Sequence, residues 1–93
     1  LSILRRLDKD KDRKRSVIQF LVDADIVGKL NLSLANTNLR QANLSGIDLS
    51  GVDLNSADLG GVNLSEANLS NANLSNANLN SAILSKTNLS KAN

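Results

Sequence analysis

Leucine occupies every fifth position from Leu34 to Leu89 without a miss. A period of five matches neither an α-helix, which repeats every 3.6 residues, nor a β-strand, which repeats every two. It suits a chain that turns one corner per repeat and stacks on itself, because a lone five-residue segment cannot satisfy its own backbone hydrogen bonds. The twelve positions, which we predict to form an internal core ladder, are Leu34, Leu39, Leu44, Leu49, Leu54, Leu59, Leu64, Leu69, Leu74, Leu79, Leu84 and Leu89.

The other positions of the repeat are also regular. The residue two before each ladder leucine is small or aliphatic, and six of these twelve residues are alanine. Asn or Asp stands directly before the leucine in ten of twelve repeats, with Ser33 and Ile83 as the exceptions. The two residues after the leucine are mostly Ser, Gly, Asn or charged, which suits a turn. Strand alternation then places the leucine and the small residue inside and the Asn or Asp outside.

Composition restricts the chemistry that the chain can perform. The 93 residues include one aromatic, Phe20, and neither cysteine nor histidine. Disulfides, thiol chemistry and a histidine general base are therefore excluded. We find no phosphate-binding glycine loop, and we expect no enzymatic activity, no cofactor and no metal site.

The five-residue runs that begin at Ala42, Ala57, Ala67 and Ala72 resemble the A(D/N)LXX signature of the pentapeptide-repeat family. This family is abundant in cyanobacteria. The resemblance implies an all-β solenoid, a right-handed quadrilateral β-helix with four repeats, or about 20 residues, per coil. Residues 31–93 would then form about three coils. Some cyanobacterial members carry helical pieces ahead of the repeats, and we expect that type here.

The positions of the acidic side chains are consistent with coils in which residues 20 apart are stacked. No acidic side chain then lies directly on another, as avoidance of like-charge neighbours requires. The expected columns are Asn38–Asp58–Asn78, Asp48–Asn68 and Ser33–Asp53–Asn73.

Residues 1–30 lack the repeat and are predicted to form a helical capping segment. Ile3, Leu4 and Leu7 indicate a short helix, and residues 17–26 carry a broad apolar helical face that ends near Gly28. A solenoid end exposes its apolar interior and an unpaired backbone edge, so it needs a cover. We expect Phe20 and Leu21 to lie over the core near Leu32 and Leu34.

Between these helical segments lies a charged stretch, residues 8–15. The spacing of Asp8, Asp10 and Asp12 is similar to the start of a calcium loop, but Arg13 stands where glycine is needed and Gln19 where glutamate is needed. The interspersed aspartates also cancel much of the positive field of this run. The stretch is expected to be a solvated linker and helix start rather than a calcium, lipid or nucleic-acid site.

The irregular outward positions are where specificity can reside, because folding explains nearly every repeated residue. They are Arg40, Gln41, Glu66, Ile83, Lys86 and Lys91. Ile83 is either an exposed aliphatic without a role or a contact with a following segment or another chain. We expect a non-catalytic scaffold that binds another protein, with no nucleic-acid partner, no membrane span and a cytoplasmic location.

Two other functions are alternatives to a protein-binding scaffold. The chain could be a structural or regulatory module of a larger membrane or signalling protein. Some family members mimic DNA and bind a type II topoisomerase, but residues 31–93 hold three Lys or Arg and four acids, a net charge of −1, without an acidic surface. Because the sequence stops within a repeat, we expect it to be truncated at the C-terminus, and a monomer or an end-to-end dimer through the C-terminal coil.

Overall fold

The computed structural model describes residues 11–23 and 33–93 of the chain. Residues 11–23 form one helix, α1 (Lys11–Asp23). Residues 33–93 form a stack of coils joined by parallel single-residue bridges, and each bridge connects residues 20 apart. The predicted coil length is therefore confirmed, and the coils comprise residues 33–52, 53–72 and 73–92. The bridges are Asn38–Asp58, Asn43–Asn63, Asp48–Asn68, Asp53–Asn73, Asp58–Asn78, Asn63–Ile83 and Asn68–Asn88.

Each repeat ends in a tight corner. The N–H of the residue three after a ladder leucine donates to that leucine's carbonyl, as Ala42 N does to Leu39 O at 3.1 Å. The residue two after each leucine has a positive φ, between 59° and 71° from residue 36 to residue 91, which is a feature of type II turns. The Asn or Asp before the leucine also accepts an N–H two residues ahead, as in Ser65 N to Asn63 Oδ1 at 3.0 Å. The polar residues of the repeat thus form the corners.

The predicted leucine ladder forms the core. The eight leucines from Leu34 to Leu69 are each at most 1% exposed. Leu74 and Leu79 are partly buried against them, whereas Leu84 and Leu89 are 37% and 40% exposed. The prediction is confirmed for the first eight. The last four line the far side of the final described coil, where no further coil covers them within the described residues.

Thr37 and Thr87 replace alanine inside the stack. The Thr37 hydroxyl donates to Ala35 O at 3.4 Å, and the Thr87 hydroxyl donates to Leu64 O at 2.7 Å. Each of these hydroxyls therefore has an acceptor, so the substitution leaves no unsatisfied polar group.

Helix α1 contacts the first coil through one face. Ile18 is 1% exposed and belongs to the core cluster, and Val17 and Val22 pack against that cluster. Two cations bind backbone carbonyls of the coil: Lys14 Nζ lies 3.0 Å from Asn38 O, and Arg15 Nη1 lies 2.8 Å from Asn43 O.

The structure corrects the contacts predicted for Phe20 and Leu21. Phe20 is 64% exposed, so the prediction that it covers the core is wrong. A helix advances about 100° per residue, which places Phe20 on the opposite side from Ile18, the residue that does enter the core. Leu21 is half-buried and is not among the hydrophobic residues of the described chain that pack on the core.

The charged stretch was expected to be solvated, and at Lys14 this is wrong, because its side chain is fully buried. Other predictions fall outside the described residues: the short helix at Ile3–Leu7, the contacts with Leu32, the helix end near Gly28, and the environments of Asp8 and Asp10.

Candidate interaction surface

Five of the six irregular outward residues lie on or beside one face of the solenoid. This face comprises residues 42–44, 62–64 and 82–84, which the bridges stack in register, and we name it the Ile83 face. One flanking corner contains residues 40–41, 60–61 and 80–81, and the other contains residues 45–46, 65–66 and 85–86. The first corner carries Arg40 and Gln41, and the second carries Glu66 and Lys86. Lys91 lies one corner further along.

Arg40 is positioned by the coil that follows it. Its Nη1 lies 3.2 Å from Asp58 Oδ1 and 3.3 Å from Oδ2. A Cβ on Gly60 would lie only 2.6 Å from the same Nη1, and a Cβ on Gly61 would lie 3.2 Å from Gln41 Cγ. The pair Gly60–Gly61 therefore leaves the room in which the two long side chains lie. The sequence pattern alone identifies these glycines only as corner residues. The signal for their further role is their position 20 residues after Arg40 and Gln41.

Asp58 is the polar centre of this corner. It accepts hydrogen bonds from Gly60 N at 3.1 Å and from Asn78 Nδ2 at 3.0 Å, in addition to the Arg40 guanidinium. Partial burial raises the pKa of the Asp58 carboxyl, but the Gly60 N–H, the Arg40 guanidinium and the Asn78 amide outweigh burial and hold the pKa below its ordinary value of 3.8. The carboxylate is therefore charged at neutral pH and holds Arg40 in one place.

The second corner carries its charges on strained backbone. Glu66 and Lys86 both have positive φ, 61° and 59°, where a side chain with a Cβ costs roughly 1 kcal/mol relative to glycine. They occupy the same corner in successive coils, since Glu66 N donates to Ser85 O at 2.8 Å. Gly46 takes the equivalent position in the first coil, with φ +69°.

Ile83 interrupts the polar column of the face. It is 50% exposed and bridges to Asn63. In the preceding coils, Asn43 and Asn63 each accept the N–H two residues ahead, at 3.2 Å and 3.0 Å. The isoleucine side chain has no hydrogen-bond acceptor, so the N–H of Ser85 lacks the hydrogen bond that the N–H groups of Ser45 and Ser65 make. The structure thus shows Ile83 exposed beside Asn63 and missing a bond that the repeat normally makes.

The described residues hold neither a metal cluster nor a membrane span. Across residues 11–23 and 33–93, no three acidic residues come together in a way that could hold a metal ion. Over the same ranges, no helix is long and apolar enough to cross a membrane.

Comparisons with known proteins agree with the coil geometry. The family model for pentapeptide repeats matches in eight copies, over residues 33–71 and 57–93. A crystal structure of a pentapeptide repeat protein from the cyanobacterium Cyanothece matches with a TM-score of 0.62 and 36% identity, covering 64% of this chain and 42% of that chain. The chain therefore spans less than half of that protein.

A pentapeptide repeat protein from the thylakoid lumen of Arabidopsis thaliana matches with 28% identity over 64% of this chain and 45% of that chain, at a TM-score of 0.35. No curated protein matches the chain. The family model covers the whole coil stack, and the observed coils of 20 residues are those that the family resemblance implies. The chain therefore belongs to the pentapeptide-repeat family and folds as a right-handed β-helix solenoid.

Proposed function

We propose that this chain is a non-catalytic scaffold that binds another protein through the Ile83 face. The observation that carries the proposal is the concentration of irregular side chains around that face. Arg40, Gln41, Glu66 and Lys86 occupy its two corners, and Ile83 lies between them.

Folding stability does not account for these residues. Gln41, Glu66 and Lys86 occupy positive-φ positions where glycine or asparagine is favoured. Ile83 removes a corner hydrogen bond that Asn63 makes in the preceding coil. Residues that lower local stability and remain exposed are more readily explained by contact with a partner than by folding.

The chemistry of the surface suits a protein partner. It combines an arginine fixed by Asp58, an exposed aliphatic side chain and charges of both signs at Glu66 and Lys86. Arginine is enriched at protein interfaces, and a fixed guanidinium loses little conformational entropy on binding. The opposite face, residues 52–54 and 72–74, is flanked mainly by Ser, Asn, Ala and Gly.

We also propose that residues 1–30 act as a cap for the first coil. The contacts of α1 support this role, since Ile18 enters the core cluster and Lys14 and Arg15 bind coil carbonyls.

Affinity capture from an extract of the source organism tests the scaffold. The face variant combines Arg40→Ser, Glu66→Asn, Ile83→Asn and Lys86→Asn, which replaces the irregular residues by residues that the repeat uses elsewhere. The matched control combines Asp53→Asn, Asn55→Ser and Ser56→Asn on the opposite side. We expect the wild-type chain and the control to retain the same protein, and the face variant to lose it by at least about tenfold, the effect of 1.4 kcal/mol.

Equal retention by the face variant, or equal loss from the control, would contradict the proposal. So would the absence of any protein retained by the wild-type chain. Melting curves of all three proteins check that the substitutions leave the solenoid folded.

A further inference from the structure

Phe20 lines an open groove on the outer side of α1. The groove has a volume of about 400 Å³, and its walls are the side chains of Arg15, Ser16, Gln19, Phe20 and Asp23. Phe20 is the only aromatic residue of the chain, and it is 64% exposed. A single exposed apolar side chain needs no explanation. One that lines a concave site beside a cation supplies the apolar and polar contacts that binding sites combine.

The groove lies on the flank of α1 that is turned towards the Ile83 face. Arg15 Nη1 donates to the carbonyl of Asn43, a residue of that face, at 2.8 Å. Lys14, one residue earlier, reaches the neighbouring face instead. Residues four apart lie on one side of a helix, so Gln19 follows Arg15 along the same flank. The groove and the Ile83 face therefore meet at Arg15.

The charges around this junction are mostly positive. Helix α1 holds four Lys or Arg and two Asp, a net charge of +2. A guanidinium has five N–H donors, and among the described residues Arg15 uses them only on the Asn43 carbonyl. Arg40 lies on the adjoining corner of the first coil, where it pairs with Asp58. Arg15 is thus the cation at the junction that can still bind a carboxylate.

Asp23 lies at the far end of the groove. Its Oδ1 accepts a hydrogen bond from Gln19 Nε2 at 2.7 Å. It follows Arg15 by eight residues, which is roughly 12 Å along a helix axis. This separation exceeds the Debye length of about 8 Å at physiological salt, so the charge of Asp23 is largely screened at Arg15. The groove is therefore cationic at the end that adjoins the Ile83 face.

We infer that the protein bound by the Ile83 face also enters this groove, with a segment that places an acidic side chain on Arg15 and an aliphatic or aromatic side chain on Phe20. A carboxylate and a guanidinium form a charge-assisted pair, and covering Phe20 removes apolar surface from water. The binding surface then runs from α1 over Arg15 and Asn43 to Ile83. The identity of the partner rests on the proposed function, whereas the groove can be tested without it.

An NMR titration of the 93-residue chain tests the groove directly, because Phe20 gives its only aromatic ring signals. The probe is an acetylated and amidated peptide of alternating glutamate and leucine, and the control peptide has lysine in place of glutamate. We expect the acidic peptide to shift the Phe20 ring signals and the amide signals of Gln19 and Asn43. The basic peptide should bind at least about tenfold more weakly, because it brings like charges together.

Substitutions in the chain assign the two contacts. Phe20→Ser and Arg15→Gln should each weaken binding of the acidic peptide by at least about fivefold, since each removes one anchor of the segment. Lys91→Gln is the matched control, because it removes the same unit of charge from a distant corner and should change the affinity by less than about twofold. If Arg15→Gln releases α1 from the coils, Phe20→Ser decides alone, since Phe20 does not pack on the core cluster.

Three results of the titration would overturn the inference: no shift of the Phe20 ring signals at millimolar acidic peptide, equal binding of the two peptides, or unchanged binding by Phe20→Ser. A fourth is a Phe20 ring that a soluble gadolinium chelate fails to broaden in the free chain. That result would show that another segment or a second copy already fills the groove.

Affinity capture with Phe20→Ser separates the inference from the proposed function. Loss of the captured protein from this variant, together with binding of the acidic peptide, supports the inference. Equal retention by Phe20→Ser overturns the inference, while the proposed function stands if the face variant still loses the protein. Equal retention by the face variant contradicts the proposed function, and with it the claim that the groove and the Ile83 face share a partner, even where the acidic peptide binds.

Discussion

The ammonium group of Lys14 donates a 3.0 Å hydrogen bond to the carbonyl oxygen of Asn38, and the whole side chain is buried. Lysine is almost never fully buried unless it is paired. Its position is explained by the edge of the first coil, where the Asn38 carbonyl has no coil before it to supply an N–H within the described residues. A side chain from α1 therefore completes a backbone pattern that the repeats cannot complete by themselves.

Replacing Lys14 by methionine should destabilise the protein by about 1–3 kcal/mol, because the Asn38 carbonyl loses its partner while the apolar volume is kept. Urea unfolding followed by circular dichroism measures the change. Lys91→Met is the control, since Lys91 is exposed at a distant corner and should change the free energy of unfolding by less than about 0.5 kcal/mol. Equal effects of the two substitutions would mean that the buried bond contributes nothing particular.

The two apolar residues Ile18 and Phe20 should differ in their response to truncation. Ile18→Ala removes buried methyl groups from the core cluster and should cost about 2–4 kcal/mol. Phe20→Ala alters a side chain that is 64% exposed and should cost much less. Thermal melts of both variants measure the difference, and Ile18→Ala should lower Tm more. A larger loss of Tm for Phe20→Ala would show that the helix face is wrongly assigned.

Corner geometry can be tested without disturbing contacts. A Cβ at Gly46 would meet nothing within 4 Å, yet φ there is +69°, so Gly46→Ala should cost about 1 kcal/mol through backbone strain alone. Lys86→Gly, at φ 59°, should stabilise by a similar amount, while Lys86→Ala should not. Chemical denaturation gives the three values. A destabilising Lys86→Gly would indicate that the lysine side chain contributes more than its backbone costs.

Ile83→Asn should stabilise the fold. An asparagine at this position would accept Ser85 N, as Asn63 accepts Ser65 N at 3.0 Å, for a net gain of about 0.5–1.5 kcal/mol. Asn63→Ile is the converse change and should cost about as much. Both can be followed by the midpoint of urea unfolding, and a loss of stability in Ile83→Asn would show that the isoleucine has a packing role within the chain.

Stability should depend on Asp58 at acid pH. Its pKa is lower in the folded chain than the ordinary value of 3.8, so its contribution is present above that value and is lost as the pH falls through the lower, folded pKa. The pair with Arg40 is largely exposed, so the effect should stay below about 1 kcal/mol. The difference in unfolding free energy between the wild-type chain and Asp58→Asn, measured at several pH values, should shrink on acidification; a constant difference would contradict this.

The sequence predicts the solenoid because every repeat requires the same placement of its residues, with leucine inside and the preceding residue outside. Leu59 needs an inward position, Asp58 an outward one, and the bridges at an interval of 20 satisfy both. It does not predict the helix orientation as well. Ile18 and Phe20 are both apolar, and the choice between them depends on Lys14, which must lie on the inner face to reach Asn38.

The interaction surface was likewise predictable from the sequence only in part. Arg40 and Gln41 stand out in the sequence as departures from the repeat, but their relation to Gly60 and Gly61 exists only once the coils are stacked. The gathering of five irregular residues around one face likewise depends on the coil length. Local pattern identifies such residues, and three-dimensional register determines which of them lie together.

The constant interval between bridged residues has a consequence for how the chain folds. Every bridge closes a loop of the same length, however many coils follow, so added repeats bring no contacts of longer range. We expect closing the first such loop to be the slow step, because each later coil grows on a template already formed. A longer relative of this chain should therefore nucleate as fast as this one and gain its extra stability mainly through slower unfolding.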